Sequence, residues 1–228
     1  MNIRVVGVIL LVVLFVSAST MLSLSISGGL PLNEAYAAGN INVIQKTNAG
    51  TIPHQVEIKN NGNSTISVKK GNILSSSITQ DLVIAEDKQI NPNSTETVYA
   101  FGLKPSQRAV AGAKLLPVNN TYFAVNQIVS NSGGYDADTA YKNQLKIWII
   151  MSGGNFNPYT GEPVSVVEKK QIKWTQFRQN VADAKQDLLN TFKVSESEIP
   201  NLNQNQKVGP QKWIDNQLSW IKSSLGLN

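Results

Sequence analysis

The chain has 228 residues, 20 Lys and Arg against 15 Asp and Glu, one His and no Cys. That length allows one large domain or two small ones. The missing cysteine excludes disulfides, thiol nucleophiles and thiolate metal sites, and a single histidine excludes a histidine-dominated metal site. The net charge of +5 is spread over isolated lysines and the pairs Lys69-Lys70 and Lys169-Lys170. No basic stripe with interleaved aromatics occurs, so nucleic acid is not an expected partner.

The N-terminus reads as an export signal. Arg4 gives a positive start, Val5 to Ala18 is apolar, and Ala35-Tyr36-Ala37 is an A-x-A triplet. Cleavage after Ala37 is the expected processing, with an uncleaved anchor from Val5 to Ile26 as the alternative. The expected divisions are a signal segment at 1–37, a β domain at 38–117 and a helical region at 118–228. The membrane is expected to be met only through the N-terminal segment, and the body to be secreted or held at the cell surface.

Short strands come first. Ile41 to Ile44 and Val56 to Ile58 alternate apolar and polar residues, the pattern of half-buried strands. Asn60-Asn61-Gly62-Asn63 is a turn signal, since Asn and Gly tolerate positive φ. Ile66 to Val68 resumes the alternation, Leu82 to Ile84 is a continuous apolar run, and Thr97 to Phe101 is the last strand. This spacing predicts an antiparallel β-sandwich. Pro105 to Pro117 reads as a connector.

Helical spacing follows. Thr121 to Val129 reads as a short helix. A second is capped by Asp136 or Asp138 and runs to about Met151, with Ala140, Gln144, Ile147, Trp148 and Met151 on one stripe. Pro163 suits a helix start. From Ile172, Trp174, Phe177, Val181, Ala184, Leu188 and Phe192 form the apolar stripe of a long amphipathic helix. Ser195 with Glu198 fits a capping box, and Pro210 opens a last predicted helix ending near Gly226. The expected class is therefore α+β, an N-terminal antiparallel β-sandwich followed by a helical half.

No catalytic constellation stands out. His54 follows Pro53 in a predicted turn and reads as a surface residue, with no Gly-x-Ser-x-Gly elbow to serve. Asp136-Ala137-Asp138 lacks the later ligands of a calcium loop. Glu162, Glu168, Asp183 and Asp187 could supply a glycosidase pair, but they read as a solvated face. No cofactor, metal or catalytic residue is expected. Asn63, Asn93 and Asn119 head N-x-S/T sequons in turns and are candidate glycosylation sites. Trp148, Trp174 and Trp213 read as core, whereas Tyr135, Tyr159 and Trp220 are candidate contact aromatics.

Val98-Tyr-Ala-Phe-Gly-Leu-Lys-Pro105, followed by Asn143-Gln-Leu-Lys-Ile-Trp148, resembles the pattern of thioester-type surface domains. In that family a Cys on an aromatic-flanked strand and a Gln on a helix form an internal thioester that traps host nucleophiles. The resemblance implies a surface module with a β-sandwich leading into helices. Gln144 matches the helical motif, and Gly102 stands where the Cys would be, so these two are vestigial positions. The thioester itself cannot form. The expected function is thus a non-enzymatic envelope or surface protein making structural or adhesive contact with an envelope polymer or surface protein. A secreted carboxylate-dependent glycan hydrolase and a small-ligand-binding module are the alternatives.

Overall fold

A computed structural model describes residues 28–131 and 136–203. The protein is mixed α and β, with two sheets followed by helices. A three-stranded sheet joins β1 (Leu30–Pro31), β4 (Ile66–Val68) and β7 (Lys88–Ile90). A six-stranded antiparallel sheet runs β2 (Ile41–Gln45), β3 (His54–Asn60), β8 (Thr95–Gly102), β6 (Leu82–Ile84), β5 (Ile73–Ser75) and β9 (Leu116–Val118). The segment leading into β9 turns back onto β2. Gln45 N–H donates to Ala113 O at 3.0 Å and Leu115 N–H to Val43 O at 2.9 Å, so the sheet curls nearly closed, like a barrel.

Alternation decides which face each side chain takes. Val43, Val56, Ile58, Leu82, Ile84, Val98 and Ala100 enter one buried cluster together with Ile66, Val68 and Ile90 of the smaller sheet. Ile73, Val83, Phe101 and Leu103 point the other way and meet the helices. Both faces of the large sheet are therefore covered, which explains why Leu82-Val83-Ile84 is apolar without a break.

The helices are α1 (Leu32–Ala37), α2 (Phe123–Asn131), α3 (Ala137–Met151), α4 (Glu162–Lys170) and α5 (Trp174–Phe192). Asp136 caps α3, accepting from Asp138 and Thr139 N–H at 3.1 and 2.9 Å. Trp148, Ile147 and Leu145 of α3 and Phe177 and Leu188 of α5 are sealed in the helical cluster. A 3-10 turn at Glu196–Asn201 carries the Ser195–Glu198 capping box.

One sequence expectation needs correction, and three short elements were not read from the sequence. The stretch read as a connector contains β9, whose Leu116-Pro117-Val118 hides its alternation behind a proline. β5 and β7 were not foreseen, because Ile73-Leu74-Ser75 and Lys88-Gln89-Ile90 do not alternate. Leu30 to Ala37, grouped by sequence with the signal segment, packs against the strands: Leu32 and Ala35 are buried in the barrel-side cluster. The predicted helix after Pro210 lies outside the described residues.

Candidate functional site

Two places gather polar side chains: the junction between the barrel and the helices, and a surface cleft among α3, α4 and α5.

The junction is built from β3 outward. His54, Val56, Ile58 and Asn60 are all buried, one inward phase of a single strand. His54 is thus not the turn residue that Pro53 suggested; it follows that proline as the first strand residue and faces inward. At the far end of β3, Asn60 donates from Nδ2 to the carbonyls of Ser64 at 2.9 Å and Asn91 at 3.0 Å. It thereby holds the two turns that carry Asn63 and Asn93.

Around His54 the groups are closely matched. Thr47 Oγ1 accepts from Gln55 N–H at 3.1 Å and lies 3.2 Å from His54 Nδ1. His54 Nε2 lies 3.1 Å from the Gln80 side-chain amide and 3.6 Å from Glu162 Oε1. With the proton on Nε2, the Thr47 hydroxyl donates to Nδ1. Turning the Gln80 amide so that its oxygen meets Nε2–H then gives the buried Gln80 Oε1 the donor it otherwise lacks. Burial, and then the Lys169 charge, lower the His54 pKa to about 4, so the ring is neutral at pH 7.

Glu162 is the second correction, because its carboxylate is buried rather than solvated. Oε1 accepts from Gly50 N–H at 2.7 Å and Oε2 from Ala109 N–H at 2.8 Å. One side chain from the first turn of α4 therefore satisfies both the 46–53 and the 104–112 loops. Burial raises its pKa, opposed by those two N–H donors and by the charges of Arg108 and Lys169. The backbones pack too closely here for a side chain: a Cβ on Gly50 (φ +81°) would meet Ser165 O, and one on Gly161 (φ +67°) would meet Pro105 O.

Gly102 and Gln144 meet at the same junction. Gly102 N–H donates to Gln144 Oε1 at 2.8 Å, and Gln144 Nε2 donates to Gly102 O at 2.7 Å. The register explains why. β3 pairs with β8 from Lys59↔Thr95 to His54↔Ala100, so Gly102 would pair with residue 52, just before Pro53, where β3 has not yet begun. The Gln144 amide offers one donor and one acceptor and takes the place of that missing strand residue. A Cβ on Gly102 would lie 2.1 Å from Gln80 Oε1. Position 102 thus faces Gln80 and the barrel side, while Phe101 and Leu103 face the helices.

The cleft is open to solvent, with a volume of about 450 Å3. Asp138, Lys142 and Lys146 of α3 face Gln176, Asn180 and Asp183 of α5 across it. Lys146 pairs with Asp187, and Asn180 Nδ2 donates to the Tyr141 hydroxyl at 3.3 Å. Lys170 lies 4.6 Å above the Tyr141 ring, closing its face. Both signs of charge and neutral amides stand at the mouth, so the cleft suits a ligand rich in hydrogen-bonding groups rather than a strongly charged one.

The remaining candidates disperse. Asn63, Asn93 and Asn119 are all exposed. Tyr159 is 52% exposed and packs on Trp174 with ring centroids 4.9 Å apart, which leaves Trp174 only half-buried. Trp148 is sealed, edge-on to Phe156 at 5.7 Å. Tyr135, Trp213 and Trp220 lie outside the described residues. Among the described residues no group of three or more His, Asp or Glu is placed to hold a metal ion. Comparison with family models, curated proteins and solved structures found no match.

Proposed function

We propose that the protein is an exported, non-enzymatic surface module that works by contact, with a cell-envelope polymer or surface protein as its partner. The contact site on this reading is the cleft between α3 and α5. The observation that carries it is a division of labour among polar groups. The one histidine and its carboxylate neighbour are spent on joining the barrel to the helices, while the open cleft presents Asp138, Lys142, Gln176 and Asp183 to solvent. The three-stranded and six-stranded sheets share one apolar layer, which supports describing them as a sandwich.

The meeting of Gly102 with Gln144 supports kinship with thioester-type surface domains, with Gln144 kept for its amide. The exposed sequons support glycosylation of Asn63, Asn93 and Asn119. A volume of about 450 Å3 also lies in the range of small-ligand sites, so a low-molecular-weight ligand in the same cleft is the second reading.

The test is equilibrium binding of the purified full chain to fractionated envelope polymers. Lys142→Ala combined with Asp183→Ala should weaken binding at least ~10-fold, about 1.4 kcal/mol, without changing the melting temperature. Release of new reducing ends or peptides would instead favour a hydrolase using the cleft carboxylates.

A further inference from the structure

Leu30 to Ala37 is not built like a segment to be discarded. β1 pairs in parallel with β4, Leu30 opposite Ile66 and Pro31 opposite Ser67, and Leu30 N–H donates to Thr65 O at 2.8 Å. Leu32 is 1% exposed and Ala35 0%, both inside the barrel-side cluster. Asn40 N–H returns to Ala35 O at 2.9 Å, and Asn61 N–H to Asn40 O at 2.7 Å, tying the end of α1 to the β3–β4 turn. Ala35-Tyr36-Ala37 therefore lies within a packed helix. A chain beginning at Ala38 would lack β1 and would leave a hole in the cluster where Leu32 and Ala35 sit.

We propose that Leu30–Ala37 is a permanent part of the working protein, and that the apolar run before it stays attached as a membrane anchor. From Val5 to Ile26 the sequence holds no charged residue, close to the ~20 residues a bilayer crossing needs. Arg4 precedes that run, which by the positive-inside bias leaves the body on the outer side. Only Ser27, Gly28 and Gly29 separate it from β1. The body is then held close to the membrane by the β1–α1 end of the fold. This inference rests on the export reading above, and the two fail in different ways.

The full chain, tagged at its C-terminus, is produced in a bacterium with a general secretion pathway. Its intact mass, its resistance to alkaline carbonate extraction and its protease accessibility in whole cells are then measured. The expected result is a mass that includes residues 1–37, a carbonate-resistant membrane fraction, and a body digested from outside. A mature N-terminus at Ala38, or a soluble exported body, overturns the anchor. A membrane-bound chain protected from external protease overturns the export reading and the inference with it. A second measurement keeps the claim falsifiable: Leu32→Ala in the recovered protein should lower the melting temperature by about 6–12 °C. An unchanged melting temperature would show that the helix is not part of the working fold.

Discussion

Gln144 supplies a strand's hydrogen bonds from a helix, and its replacement has a defined cost. Gln144→Leu leaves the buried Gly102 N–H and carbonyl without partners, each worth about 1–3 kcal/mol. Gln144→Glu keeps the acceptor but sets a carboxylate oxygen against the Gly102 carbonyl, and should cost more at neutral pH than at pH 4. Chemical denaturation of the two variants at both pH values checks the order.

His54 gives the molecule an acid-side weakness. Its folded pKa of about 4 lies below its ordinary 6.5, so the unfolded chain takes up the proton first as pH falls. The stability it contributes is complete above pH 6.5 and is lost on the way to pH 4, on the order of 3 kcal/mol. Glu162 acts in the opposite sense. Its folded pKa is raised, so its contribution is full below 4.5 and is lost as pH rises through the folded value. The two partly offset each other. His54→Gln should therefore show a flatter melting temperature between pH 6.5 and 4 than the parent chain, read by thermal scans across that window. This pair was hidden in the sequence because His54 and Glu162 stand far apart in the chain. The inward phase of His54, two residues before Val56, was the signal available.

At the scale of elements, segments that keep a clear pattern were legible and those that do not were not. The α5 stripe places Phe177, Ala184 and Leu188 inward as its spacing required. Phe177→Ala should cost about 3–5 kcal/mol, whereas Arg178→Ala, on the exposed side, should stay within about 0.5 kcal/mol; urea titrations distinguish them. The capping side chain of Asp136 and the Ser195–Glu198 box were also readable, because caps depend on residues within one turn. β5 and β7 were not, since Ile73-Leu74-Ser75 and Lys88-Gln89-Ile90 do not alternate, and β9 was not, since Pro117 interrupts it. α1 was not read as a helix for another reason: Ala35-Tyr36-Ala37 fits an A-x-A triplet, so Leu32–Ala37 was grouped with the signal segment.

At the scale of the whole molecule, the described residues set a nearly closed sheet beside a smaller sheet and the helices, with polar junctions at the two ends of β3. Asn60 binds the turns at one end, and His54, Gln80, Glu162 and Gln144 join the other to the helices. These bonds tie α3 through Gln144 and α4 through Glu162 to the sheet, α5 packs on α3, and their shared cleft faces solvent. On the proposed reading, a surface protein without disulfides needs such internal ties to keep its contact site in shape. The most direct test is titration of the intact chain with a purified envelope polymer, comparing the parent with the Lys142→Ala, Asp183→Ala double variant. The account predicts saturable binding that weakens at least ~10-fold in the variant with no polymer breakdown. Equal binding by the two proteins, or depolymerisation by the parent, would contradict it.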